Sequence, residues 1–87
     1  MVLSIKVLGP GCKNCERVGL HAAQAVEQWQ ADHPDVEVTI EKIADMEKFL
    51  DYGLLSTPGL VINEKLVSSG KIPTKSDIVA WLNEAAA

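Results

Sequence analysis

The sequence lacks a hydrophobic run long enough to cross a bilayer, which takes about 20 consecutive apolar residues. It also lacks an excess of basic residues, because 8 lysines and arginines stand against 12 aspartates and glutamates and leave a net charge of −4. Proteins that bind nucleic acids usually carry a basic stripe, so this balance argues against DNA or RNA as a partner. We therefore expect this chain to bind neither a membrane nor a nucleic acid.

The first residues lack the features of a secretory signal peptide. Residues 1–8 have no basic segment, and their apolar run gives way to Gly9-Pro10-Gly11 without a small-residue cleavage pattern. The sequence therefore predicts a cytoplasmic protein. In that reducing compartment a Cys-x-x-Cys pair is more often catalytic or metal-binding than a structural disulfide.

The chain is short, and it contains no internal repeat and no linker of biased composition. Chains of 87 residues rarely divide their core, so we expect a single domain over residues 1–87. The apolar periodicity predicts seven elements: strand 2–8, a helix from about residue 12 to just before Pro34, strand 36–41, a short helix that Asp45 caps and that runs through Tyr52, strands 59–62 and 66–68, and a last helix after Thr74.

This order of elements predicts an α/β fold with a mixed sheet. The first strand-helix-strand unit needs a right-handed crossover and hence a parallel pair, whereas the later hairpin supplies antiparallel strands. We expect Met46, Phe49 and Leu50 to line the inner side of the short helix. His21 and His33 are expected to be solvated surface residues.

Both cysteines of the chain, Cys12 and Cys15, lie where the first strand gives way to the first helix. The unpaired N–H groups and the positive dipole end of a helix start stabilise an anion, and cysteines in such positions have lowered pKa values. Cys12 is therefore the predicted nucleophile, with the positive charge of Lys13 beside it. Cys15 lies deeper in the helix and is the predicted resolving thiol.

The same two cysteines allow an alternative function in metal or metalloid binding. A zinc or iron site needs four ligands, and beyond the two thiols the only histidine ligands in the chain are His21 and His33. His21 follows Cys15 by six residues and cannot share its helical face, so a complete site would have to be shared across a dimer.

Three features together resemble the thioredoxin superfamily: Cys12-Lys13-Asn14-Cys15 after a first strand, Thr57-Pro58 before a hairpin, and a closing helix. The resemblance spans essentially the whole chain. It is closest to the glutaredoxin-sized, thioredoxin-like proteins known as small redox-active disulfide proteins, especially in the tract from Tyr52 to Asn63.

The resemblance implies a thioredoxin-like β-α-β-α-β-β-α fold with strand order 2-1-3-4 and helices on both faces. It implies that Pro58 is a cis-proline packed against a Cys12–Cys15 disulfide, and that Thr57 offers its backbone to an extended substrate. The function implied is thiol–disulfide exchange through a mixed disulfide, without a further cofactor. The predicted substrate-binding residues are Gly11, Lys13, Asn14, Thr57 and Pro58.

The implied partners are a disulfide-containing protein and a reductant, either a thioredoxin-reductase-like flavoprotein or another dithiol. We expect the protein itself to be a monomer. The sequence also departs from relatives in this superfamily. Lys13-Asn14 replaces the intervening pairs of thioredoxins and glutaredoxins, Gly11 stands where thioredoxin has tryptophan, and Lys6 stands where thioredoxin has a buried acid. The stretch 68–71 lacks the Gly-Gly and acidic residues with which glutaredoxins hold glutathione, which favours a protein or reductase partner.

Overall fold

The computed structural model describes residues 2–9, 11, 13–53 and 56–86 of the chain. Cys12 and Pro10 lie outside these described residues. The elements follow the predicted order: β1 (Val2–Leu8), α1 (Lys13–Asp32), β2 (Glu37–Ile43), α2 (Met46–Asp51), β3 (Gly59–Ile62), β4 (Lys65–Ser69) and α3 (Lys75–Ala86). No helix in the described part of the chain is long and apolar enough to span a membrane.

The strands form a mixed sheet in the order β2-β1-β3-β4. β1 pairs in parallel with β2, while β1 with β3 and β3 with β4 are antiparallel. The predicted order 2-1-3-4 is therefore confirmed, with β1 and β3 in the middle of the sheet. All four residues of β3 are buried, as expected for a strand that is covered on both faces.

The larger part of the core lies between one face of the sheet and the helices α1 and α3. Leu3, Ile5 and Val7 of β1 contribute to it, and Trp29 is only 2% exposed there while its indole N–H donates to Oδ1 of Asn83 at 2.8 Å. The opposite face carries a smaller cluster, formed by Leu8, Ile43, Phe49 and Val61. Helices thus cover both faces, and the smaller cover explains why β1 is apolar chiefly on one side.

The helix α2 is attached to the sheet by a single large side chain. Phe49 is 5% exposed, whereas Met46 and Leu50 are 74% and 72% exposed, so the prediction that all three face inward was wrong for two of them. The helix has only six residues, so it presents little more than one inward position. Asp45 caps it as predicted, because its carboxylate accepts a hydrogen bond from the N–H of Glu47 at 3.0 Å.

Two strands are longer than their sequence patterns indicated. β2 begins one residue later than predicted and continues through Lys42 and Ile43, because both pair with the last residues of β1. β4 gains one residue at each end. Asn63 and Glu64 form the hairpin loop with φ values of 53° and 69°, the left-handed conformation that matches the twist of two-residue hairpins.

The two histidines are structural residues, which corrects the prediction that they are solvated. His33 stacks on Trp29 with ring centroids 4.0 Å apart, and its Nδ1 donates to the Trp29 carbonyl at 3.0 Å. His21 donates from Nδ1 to the carbonyl of Pro73 at 3.0 Å and so joins α1 to the segment before α3. Both rings are half-buried.

Candidate active site

Cys15 is the third residue of α1 and is almost completely buried, with 5% of its surface exposed. Its sulfur is disulfide-bonded. Cys12, the predicted nucleophile, lies outside the described residues. The position of Cys15 in the first turn of α1 places its sulfur near unpaired backbone N–H groups, which favour negative charge there.

The backbone of Gly9 lies directly against the Cys15 sulfur. A β-carbon at residue 9 would overlap Sγ of Cys15 and would lie 3.0 Å from its Cβ, so only glycine fits. The N–H of Gly9 donates to the carbonyl of Ile43 at 2.9 Å and fixes this approach. Sequence reasoning identified Gly9 only as part of the break after the strand; a glycine directly between an apolar strand and a cysteine pair was the available signal.

Thr57-Pro58 lies at the same end of the sheet as Gly9. The peptide bond between these two residues is cis, in agreement with what the resemblance implied. The next residue, Gly59, pairs with Leu8 at the end of β1, which brings the segment 57–58 beside the strand end that leads to Cys15. Pro58 is buried and Thr57 is exposed.

Gly70 holds this proline segment in place. Its N–H donates to the carbonyl of Pro58 at 2.8 Å, and its φ of +68° lies in the left-handed region. A β-carbon at residue 70 would also lie 3.0 Å from Cβ of Ser56, which is tighter than ordinary packing allows. Two separate constraints therefore favour glycine at residue 70.

Gly70→Ala is expected to lower the free energy of unfolding by about 2–3 kcal/mol, since left-handed strain of about 1–2 kcal/mol adds to the contact with Ser56. Gly53→Ala is the matched control, because Gly53 has a φ of +75° but no described neighbour within 4 Å of its added carbon. Urea unfolding of both variants measures the difference. Equal losses would show that the contact with Ser56 costs nothing.

The other predicted substrate-binding residues surround the start of α1. Gly11, Lys13 and Asn14 are all exposed there, and Gly11 has a φ of +97°. With Thr57 they give four exposed residues and one buried residue, Pro58, around the same end of the sheet. Their role in holding substrate stays a prediction.

Lys6 lies on the other face of the sheet in a polar cluster. Its Nζ donates to Tyr52 Oη at 2.8 Å and pairs with Glu64 Oε1 at 2.6 Å, and Tyr52 in turn donates to Glu64 Oε2 at 2.9 Å. The hydrogen bond to Glu64 and then that to Tyr52 raise the pKa of Lys6, and the same bond to Lys6 lowers the pKa of Glu64. Lys6 therefore stays positively charged, and it does not take up and release a proton as a buried acid can. Its partners are 46 and 58 residues away, so sequence reasoning missed them.

A groove of about 240 Å³ opens beside Cys15. Its lining residues are Val7, Gly9, Gly11, Cys15, Glu16, Lys42 and Ala44. A larger groove of about 520 Å³ lies between β4 and α3, and none of the described residues in the segments 9–15 and 57–58 lines it. The smaller groove is therefore the one that belongs to the cysteine site.

Residues 3–83 match a family model described as a thioredoxin domain. The chain belongs to this family. The thioredoxin of Methanothermobacter thermautotrophicus is 30% identical over 77 residues, which cover 88% of this chain and 94% of that protein. The thioredoxin of Methanocaldococcus jannaschii is 26% identical over 78 residues, which cover 90% and 84% of the two chains.

The fold has a counterpart among solved structures. The solution structure of the oxidised thioredoxin from Plasmodium falciparum aligns with a TM-score of 0.64 over 98% of this chain and 82% of that one. The sequence identity is 15%, so this likeness shows the fold alone. The resemblance to the thioredoxin superfamily is confirmed, and the relatives support a thiol–disulfide oxidoreductase-like function.

Proposed function

We propose that this protein is a thiol–disulfide oxidoreductase that works through the pair Cys12 and Cys15. The observation that carries the proposal is the buried, disulfide-bonded sulfur of Cys15 in the first turn of α1. The sequence holds one other cysteine, Cys12, three residues before it. The thiol pair itself carries the electrons, and the proposal requires no further cofactor.

In the reduced protein the Cys12 thiolate attacks one sulfur of a substrate disulfide. The substrate S–S bond breaks, a Cys12–substrate mixed disulfide forms, and the first substrate sulfur leaves as a thiolate that takes up a proton. Cys15 then loses its proton and attacks the Cys12 sulfur, which releases the second substrate thiolate. The substrate gains two electrons, and the protein is left with an internal Cys12–Cys15 disulfide.

Thr57 and Pro58 are proposed to hold the substrate backbone. Thr57 is exposed, and within the described part of the chain no backbone hydrogen bond uses its N–H or its carbonyl. An extended peptide can pair with such groups by strand addition. Gly11, Lys13 and Asn14 form the rest of the proposed contact surface at the exposed start of α1.

The proposed partners are a protein that contains a disulfide and a reductant, either a thioredoxin-reductase-like flavoprotein or another dithiol. The names of the two curated relatives, both thioredoxins, favour this over glutathione chemistry. We also propose that the protein is a cytoplasmic monomer and that residues 1–87 form a single domain.

The dithiol-reduced protein is expected to reduce a model protein disulfide faster than the free dithiol alone, as measured by the appearance of substrate thiols. Failure to exceed the dithiol background would overturn the proposal. Metal content and thiol titration of anaerobically purified protein test the alternative. Among the described residues no three histidine, cysteine, aspartate or glutamate side chains are grouped to hold a metal, so stoichiometric metal with protected thiols would favour a carrier shared between chains.

A further inference from the structure

The side chain of Lys42, near the end of β2, crosses the surface of α1 at Gly19. Cε of Lys42 lies 3.4 Å and Nζ 4.0 Å from the point where a β-carbon on Gly19 would stand. Gly19 follows Cys15 by four residues, so the two lie on the same face of the helix, one turn apart. The missing side chain at residue 19 thus leaves room for the Lys42 side chain one helical turn from Cys15.

Lys42 and Cys15 also line the same groove. Among the described residues that line this groove, Glu16 is the only other charged one. In the register of the sheet Lys42 pairs with Val7, whose side chain belongs to the core beneath α1. Parallel partners point to the same face of a sheet, so the Lys42 side chain and Cys15 lie on one side of it.

We infer that Lys42 is a positioning residue of the cysteine site, whose ammonium group stabilises negative charge on the Cys15 sulfur. The inference deepens the proposed function and rests on it. When a reductant thiolate attacks the Cys12 sulfur, the Cys12–Cys15 bond breaks and Cys15 leaves as a thiolate. In the opposite direction the Cys15 thiolate must form before it can attack the mixed disulfide. A nearby cation favours both steps, because it lowers the free energy of the thiolate relative to the thiol.

Lys6 does not serve this purpose. Its ammonium group is already paired with Glu64 and Tyr52, and it projects from the face of β1 opposite to that of Val7. Within the groove the carboxylate of Glu16 opposes Lys42, so the field at Cys15 depends on both groups. The inference therefore predicts the direction in which removal of each charge shifts the titration of Cys15.

The test is a thiolate titration of Cys15 in the Cys12→Ser background, where Cys15 is the one remaining thiol. Absorbance of the thiolate is followed against pH, together with the rate of alkylation by iodoacetamide. With Lys42→Gln we expect the titration to move to higher pH and the thiolate fraction at neutral pH to fall about three-fold or more. Lys42→Arg should restore the original curve, and Glu16→Gln should move it to lower pH.

Lys75→Gln, a change of equal charge at the exposed start of α3, is the matched control. Any of three results would overturn the inference. The titration curve of Lys42→Gln could stay unchanged, or Lys75→Gln could shift the curve equally. The third is a shift for Glu16→Gln in the same direction as for Lys42→Gln. The titration needs no substrate or reductase. Failure of Lys42 to act on Cys15 is therefore distinguishable from failure of the protein to reduce disulfides.

Discussion

Cys12→Ser is expected to reduce the rate of protein disulfide reduction by about two orders of magnitude or more, to the level of the dithiol background. The only thiol left would be that of Cys15, a residue that is 5% exposed in the wild-type protein. A disulfide in a folded protein cannot approach a sulfur that is covered to this extent, because attack needs the thiolate in line with the S–S bond. Reduction of a model protein disulfide by equal amounts of each variant measures the loss.

Cys15→Ser is the complementary variant, and its expected result differs in kind. Cys12 can still attack, but the mixed disulfide has no internal thiol to resolve it, so the covalent complex should accumulate and be visible by mass spectrometry or non-reducing electrophoresis. Thermal unfolding of both variants controls for loss of the fold. Rates like those of the wild type from Cys12→Ser would remove the assigned roles of the two cysteines.

Much of the fold could be predicted because apolar residues recur at regular spacing along each helix and strand. The buried face of α1, which includes Cys15, Val18, Ala22 and Trp29, follows the helical period closely. Three alternating apolar residues, followed by a glycine where the strand ends, were enough to predict β1. Such patterns are local, so each helix or strand can be predicted from its own segment of the chain.

The parts that were missed depend on residues far apart in the chain. The need for glycine at residue 9 follows from a sulfur six residues later, which reaches it only after the chain turns into α1. The ion pair of Lys6 with Glu64 follows from the register of β1 against β3 and its hairpin, which no single segment contains. The position of Lys42 against Gly19, one helical turn from Cys15, likewise depends on the pairing of β2 with β1.

The short helix α2 was misjudged for a different reason. Met46 and Leu50 are apolar and four residues apart, which predicts a common buried face, and they do share a face, but it is the exposed one. Composition alone does not decide which side of a six-residue helix turns inward. Phe49 decides it here, because a phenylalanine buries more apolar surface than either alternative side chain offers alone.

Phe49→Ala is accordingly expected to lower the free energy of unfolding by about 3–5 kcal/mol, the usual cost of removing a buried phenylalanine. Small domains are stable by only about 5–15 kcal/mol, so the variant should lose a large part of its stability. Phe49 packs against Leu8, Ile43 and Val61, and within the described residues it is the only buried side chain of α2. Guanidinium unfolding followed by circular dichroism measures the change.

Leu50→Ala is the matched control on the same helix, since it removes an apolar side chain that is 72% exposed and should change the free energy of unfolding by no more than about 0.5 kcal/mol. The cluster around Phe49 also packs against the strand ends that lead to the site, because Leu8 directly precedes Gly9 and Val61 lies in β3, which begins directly after Pro58. Phe49→Ala should therefore slow disulfide reduction even at temperatures where the protein stays folded. Equal and small effects of the two substitutions would mean that α2 contributes nothing to the stability of this end of the sheet.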